Sequence, residues 1–219
     1  MKSLVSLSGG LDSSTLVGYL KHQTFDVQAI HFQYGSKHNK YELEAAKQIN
    51  DFYKLPPLII INLNEIFSNV SSNLLSSGGD IPEGHYASEN MKLTVVPGRN
   101  LIFASILSSI AESNRIDVIS LAVHQGDHAI YPDCRPDFIN SLRKTIKFST
   151  ERRVTLFCPF INKTKTDIVT IGLKIGVPYN LTRTCYKDQE NACGKCGACN
   201  ERLESFKKNN FIDPISYEN

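Results

Sequence analysis

The feature that restricts the fold most is a turn. An apolar run at residues 3–7 ends in Ser8-Gly9-Gly10-Leu11-Asp12-Ser13-Ser14, and a helical pattern follows over 13–22. A short apolar run meeting a Gly-rich strand-to-helix turn is where an open α/β sheet binds its ligands. The rest of the chain repeats the alternation. Strands are expected at 27–32, 58–63, 118–123 and 154–157, and helices at 40–53, 100–112, 136–148 and 167–176. That order predicts an α/β fold, an open and mostly parallel twisted sheet with helices on both faces. The run at 58–63, almost continuously apolar, reads as a strand covered on both sides. Polar stretches at 68–94 and 124–135 read as long loops, the first a possible lid. From about residue 180 the chain turns Cys- and Gly-rich. The expected division is therefore a catalytic domain over 1–180 and a small C-terminal lobe over 181–219 packed on it.

Two adjacent glycines let backbone N–H groups approach a phosphate with no Cβ in the way. Ser8, Ser13 and Ser14 add hydroxyl donors, and the following helix adds the positive end of its dipole. Asp12 is out of place against an anion unless it helps hold a divalent cation, Mg²⁺, that bridges phosphates. Neither a GxGxxG nor a GxxxxGK[ST] pattern aligns here, which disfavours dinucleotide and Walker-type sites. The bland alternative is a Gly-Gly turn with an Asp cap. SGGxDS resembles instead the PP-loop of the ATP pyrophosphatase superfamily, whose members split ATP to AMP and pyrophosphate while adenylating a substrate.

Six cysteines are present, and four of them, Cys185, Cys193, Cys196 and Cys199, fall within fifteen residues. Such clustering points to metal rather than to a disulfide framework. Four thiolates suit a closed, structural zinc tetrahedron with no open position for water, one ion per chain. Gly194 and Gly197 ease the tight backbone, and Lys187, Lys195 and Arg202 are placed to offset the thiolate charge. An iron–sulfur cluster is the competing reading, and a redox CxxC fits four cysteines less well. Cys134 and Cys158 stand alone, Cys158 as a buried apolar residue.

With 219 residues and a formal charge of +2, the chain offers no basic surface for nucleic acid and no charged membrane patch. No apolar run is expected to cross a membrane, and the N-terminus lacks a signal-peptide pattern, so a cytoplasmic protein is expected.

The loop and the cysteine knot together resemble the 7-cyano-7-deazaguanine synthase (QueC) family of the queuosine pathway. Further matching segments are Gln33-Tyr34-Gly35 with His38, Ile81-Pro82-Glu83-Gly84-His85-Tyr86, Val96-Pro97-Gly98-Arg99-Asn100, residues 126–135 ending in Tyr131-Pro132-Asp133-Cys134-Arg135, and residues 181–186. Ser36-Lys37 departs from the family's usual Gln-Arg. The resemblance implies an adenine nucleotide alpha hydrolase-like fold, a homodimer, and conversion of 7-carboxy-7-deazaguanine, ammonia and ATP to the 7-nitrile. ATP is then expected at Leu7, Ser8, Gly9, Gly10, Leu11, Asp12, Ser13, Ser14, Thr15, Leu16 and Val17, with Gly98, Arg99, Lys163 and Lys165. Asp12, Arg99 and Lys163 are the expected catalytic groups. Tyr131, Asp133, Arg135 and His128 are expected around the substrate, Asp133 reading the deazaguanine edge and Arg135 its carboxylate. His124 and His128 are otherwise read as loop-positioning hydrogen bonders. Three rivals stand beside this reading: a tRNA-thiolating member of the superfamily, an enzyme that stops at the amide or acylates another amine, and a non-catalytic zinc-knuckle module.

Overall fold

In the computed structural model, which describes residues 1–85 and 89–218, five parallel strands form one sheet in the order β3-β2-β1-β4-β5. Tyr86 of the segment 81–86 lies outside the described residues. The strands are β1 (Lys2–Ser6), β2 (Asp26–Gln33), β3 (Ile59–Asn62), β4 (Val118–Ser120) and β5 (Thr155–Phe157). The helices are α1 (Leu11–His22), α2 (Asn39–Phe52), α3 (Asn64–Phe67), α4 (Arg99–Ser113), α5 (Pro136–Ser149), α6 (Lys165–Ile175) and α7 (Gly197–Lys208).

Successive residues of a strand point to opposite faces, and β1 shows the consequence. Leu4 belongs to an apolar cluster with Phe103, Leu107, Ile119 and Ile139, while Val5 belongs to another with Leu16, Leu20, Ile49 and Ile168. Both are fully buried. The C-terminal segment joins both clusters, its four cysteines the first and Phe206 the second. Strand β1 lies between β2 and β4, so the chain leaves it in opposite directions, and a crevice opens at the strands' C-terminal ends.

Three features differ from the sequence-based expectation. Strand β3 is an edge strand paired only with β2, and Ile59 and Ile60 are 38% and 44% exposed rather than covered on both faces. Its apolar run carries no mark of sheet position, which depends on where the chain turns back. Helix α1 begins at Leu11 because Gly10 (φ −72°, ψ 166°) already closes the turn. The helical stretch Glu89–Ser113 is long and apolar enough for a membrane span by length and composition. It is interrupted at Gly98 (φ +66°), and Phe103, Ala104, Leu107 and Ala111 are buried where α4 packs against β1 and β4.

Candidate active site

The Gly loop lies at the mouth of the crevice. Gly9 has φ +80°, and a Cβ on it would stand 2.4 Å from Ala46 N in α2, so no other residue fits this turn. Gly10 has ordinary dihedrals and more room, 3.1 Å to Ser8 Oγ. The Ser8 hydroxyl is 3.0 Å from that of Ser13 and accepts from Gly10 N–H at 3.1 Å. Arg183 N–H donates to Gly9 O at 2.8 Å, tying the cysteine-rich segment to the loop. Leu7, Ser8, Gly10, Leu11, Asp12 and Ser13 line the cavity. Thr15, Leu16 and Val17 lie further along α1, fully buried and off the cavity wall, and the Thr15 hydroxyl donates to Leu11 O at 2.7 Å.

Behind the loop sits a charged cluster drawn from four parts of the chain. Lys165 Nζ is 2.7 Å from Asp12 Oδ2 and 3.3 Å from Glu201 Oε2. Burial works against the Lys165 charge, but Asp12 and Glu201 outweigh it and raise its pKa. Burial likewise opposes the Asp12 charge, and Lys165 and then His124 hold the carboxyl below its ordinary range. His124 Nδ1 accepts from Gly126 N–H at 3.1 Å, which leaves the proton on Nε2 when the ring is neutral. Nε2 then faces Asp127 Oδ2 at 3.4 Å and Asp12 Oδ2 at 3.7 Å. Asp12 Oδ1 is buried and has no hydrogen-bond partner among the described residues.

From this cluster the cavity runs into an aromatic chamber lined by Phe32, Tyr34, Phe103, Tyr131 and Tyr186. Phe32 stacks on Phe103 at 4.1 Å between centroids, and Tyr34 meets Phe103 edge-on at 5.7 Å. The Arg99 guanidinium stands 5.6 Å from the Tyr34 ring centre, and Nη1 donates to Tyr34 Oη at 3.4 Å. Arg99 forms no ion pair among the described residues, although it starts α4 at the cavity wall. Burial lifts the Tyr34 hydroxyl to about 12. Glu42 also lines the chamber, 3.3 Å from His38 Nε2 and accepting from Ser36 Oγ at 3.3 Å. Burial opposes its charge, and His38 holds its carboxyl below the usual range.

Other expected residues take different positions. Lys163 is exposed and absent from the cavity wall, whereas Lys165, two residues on, turns inward. Asp133 accepts from Asn100 N–H at 2.9 Å, capping the start of α4 rather than lining the cavity. Arg135 is exposed, its Nε donating to His128 O at 2.9 Å. Tyr131 lines the chamber and shares a hydrogen bond with the Thr94 hydroxyl at 2.8 Å. Burial lowers the pKa of His128, which stands outside the lining. Burial raises the Cys134 thiol well above its ordinary range, as expected of an inert cysteine. Sequence reading passed over Glu42 and Glu201, and named His38 only as part of a matching segment, without a role. The His38–Glu42 spacing (i, i+4) at a helix start was a readable sign; Glu201 carries none.

The sulfurs of Cys185, Cys193, Cys196 and Cys199, all buried, lie within 4.8 Å of one another. A tetrahedron with metal–sulfur bonds near 2.3 Å has edges of about 3.8 Å, and Cys193 Sγ is 3.9 Å from Cys199 Sγ. A polynuclear iron–sulfur cluster, with each cysteine on a different iron, needs wider spacing. Backbone N–H groups of Lys187 and Cys193 point at Cys185 Sγ, and those of Lys195 and Cys196 at Cys193 Sγ, at 3.2–3.4 Å. Such donors offset thiolate charge in a metal site. Lys187 pairs with Glu83 at 2.6 Å, with the Cys193 and Cys185 charges a smaller influence on it, and Arg202 pairs with Asp213 at 2.7 Å.

The chain matches the family described as queuosine biosynthesis protein QueC over residues 2–210. It is 44% identical over 218 residues to the 7-cyano-7-deazaguanine synthase of Caldicellulosiruptor saccharolyticus, covering 100% of this chain and 96% of that protein. The enzyme of the same name from Methanoregula boonei is 42% identical over 218 residues, with 100% of both chains covered. Among solved structures, the U34-tRNA thiolase NcsA of Methanococcus maripaludis with its [4Fe-4S] cluster aligns with a TM-score of 0.50 at 15% identity, covering 95% of this chain and 67% of that one. That likeness extends to the fold alone.

Proposed function

The chain belongs to the QueC family of queuosine biosynthesis proteins, and from that premise we propose how its residues perform ATP-dependent 7-cyano-7-deazaguanine synthesis. The substrates are 7-carboxy-7-deazaguanine, ammonia and ATP. A carboxylate is a poor electrophile. Its oxygen therefore attacks the α-phosphorus of ATP and expels pyrophosphate, leaving AMP as a good leaving group on the acyl carbon. Ammonia displaces AMP and gives the amide. The amide oxygen is adenylated in turn, and loss of AMP with both N–H protons forms the nitrile.

One observation carries this reading: a single cavity joins the Gly loop to an aromatic chamber holding Arg99, a cation with no ion pair among the described residues. The loop N–H groups, the Ser8 and Ser13 hydroxyls and the α1 N-terminus cradle the phosphates. Of the two lysines expected at ATP, Lys165 supplies the buried cation beside them, and takes the catalytic part expected of Lys163. Asp12 Oδ1, buried without a donor, fits a Mg²⁺ ion bound to ATP, which would draw charge from the phosphates. Arg99 faces the charge that develops on the reacting carboxylate. The four cysteines fit zinc, whose part is structural: it fixes the start of α7, from which Glu201 reaches Lys165.

The test is to incubate purified protein with 7-carboxy-7-deazaguanine, ATP, Mg²⁺ and ammonium and to identify products by mass spectrometry. Nitrile with AMP is expected. Amide as the end product would favour an enzyme that stops halfway, and no substrate-dependent ATP cleavage would remove the assignment. We also infer a homodimer acting in the cytoplasm on small molecules alone; light scattering reads the first point.

A further inference from the structure

We propose that Glu42 is the residue that recognises the base of the substrate, its carboxylate accepting the N1–H and 2-amino hydrogens of a 2-aminopurine-like ring stacked in the aromatic chamber. This assignment rests on the activity given above and specifies which group selects its substrate. The part was expected of Asp133, but Asp133 is committed to the N-terminus of α4. Asp127 and Asp12 also line the cavity, but Asp127 faces His124 and Asp12 faces Lys165, whereas Glu42 stands on the wall with Phe32, Tyr34, Phe103 and Tyr186. A flat heterocycle fits such walls, and an ionised carboxylate there needs donors.

Among the described residues Glu42 has two polar contacts, His38 Nε2 on Oε1 and Ser36 Oγ on Oε2, each at 3.3 Å, with the His31 and Arg99 charges further off. Two carboxylate oxygens offer about four acceptor sites, so capacity remains on both. Paired N–H groups of the guanine type match that remaining capacity side by side. Adenine does not, because its N1 is an acceptor and would face the carboxylate's negative charge. Glu42 therefore selects the deazaguanine over the base of ATP. His38 Nδ1 is buried without a partner on the same wall, a further polar atom available to the ring. Arg99, without an ion-pair partner, is left for the C7 carboxylate.

The placement of α2 supports this. Its Ala46, one turn after Glu42, packs against Gly9 of the ATP loop. A ring read by Glu42 is thereby held close to the loop, where its carboxylate must meet the α-phosphate.

The test compares 7-carboxy-7-deazaguanine with its analogue lacking the 2-amino group, by calorimetry and by kcat and KM. Wild-type protein should bind the analogue at least about tenfold more weakly, because a buried acceptor loses its donor. In Glu42→Gln, KM for the parent should rise by a similar factor, KM for ATP should hold, and the two ligands should converge. Equal affinity of wild type for both ligands overturns the proposal, and that comparison needs no variant to fold. A Glu42→Gln effect on KM for ATP alone also overturns it, placing Glu42 at the nucleotide end. Failure of wild type to bind or turn over the parent compound removes the activity itself and the assignment with it, an outcome distinct from turnover without 2-amino discrimination.

Discussion

Lys165 Nζ stands 2.7 Å from Asp12 Oδ2, so the first turns of α6 and α1 are joined by one charged contact behind the Gly loop. An ammonium near two helix N-termini is unfavourable by itself. Asp12 and, from α7, Glu201 offset it.

Removing the cation and removing one anion should therefore differ. Lys165→Met leaves two carboxylates facing each other and should cost about 3 kcal/mol of stability. Its turnover should fall by at least about 100-fold. Asp12→Asn leaves Lys165 paired with Glu201, so turnover should vanish while stability holds within about 1 kcal/mol. Denaturant melts and AMP release measure both variants; equal stability losses would mean that Glu201 does not support Lys165.

The two loop glycines separate folding from binding. Gly9→Ala sets a Cβ against Ala46 N at 2.4 Å on a φ of +80°, and should cost about 2–3 kcal/mol. Gly10→Ala has φ −72° and meets only Ser8 Oγ and Arg183 O, at 3.1 and 3.4 Å. Its melting point should barely move, while its methyl intrudes on the phosphate cradle and raises KM for ATP about tenfold or more. Melting curves set beside ATP titrations distinguish the two effects, and a Gly10→Ala protein with unchanged KM would place the phosphates elsewhere.

Much of this arrangement was legible in the chain because local signals made it. The Gly-Gly turn fixed strand, loop and helix, and the cysteine spacing announced the cluster that brings four sulfurs within 4.8 Å of one another. Glu201 was not legible: it reaches the loop only because the cysteine segment folds back over the sheet, and no local pattern records that. Lys163 and Lys165 were indistinguishable as residue types. The helix start at Lys165 decides which side chain turns inward. The edge position of β3 was hidden for the same reason, since a local apolar run cannot report strand order.

If the four cysteines hold a metal, α7, which starts beside Cys196 and carries Cys199, should depend on it. About one zinc per chain is expected, and Cys199→Ser should lower both zinc content and stability, the latter by about 3 kcal/mol or more. Hydrogen exchange should then rise over residues 183–218, including the Arg183 N–H that donates to Gly9 O, while β1 and β2 stay protected. Metal analysis and exchange mass spectrometry read this out. Iron in place of zinc, or exchange that rises evenly over the sheet, would contradict it.

The start of α6 sets a pH dependence. Thr164 N–H and its hydroxyl both donate to Asp167 Oδ2 at 2.8 Å, and Asp167 N–H donates back to Thr164 Oγ1 at 3.1 Å. The Thr164 donors, backbone first, hold the Asp167 carboxyl below its ordinary value. A carboxyl depressed in the folded state stabilises the fold at pH values above its unfolded pKa, about 3.9. That contribution fades as pH falls through the folded value. Solvent screens this exposed contact, so Asp167→Asn should cost about 0.5 kcal/mol at pH 7 and less near pH 2. Bound metal leaves both proteins in acid, so the difference between wild type and variant is the quantity to read. Because Lys165 is the next residue, a frayed cap should also raise KM for ATP by a small factor at pH 7. A stability gap that stays constant from pH 7 to pH 2 would show that the Asp167 charge contributes nothing to the cap.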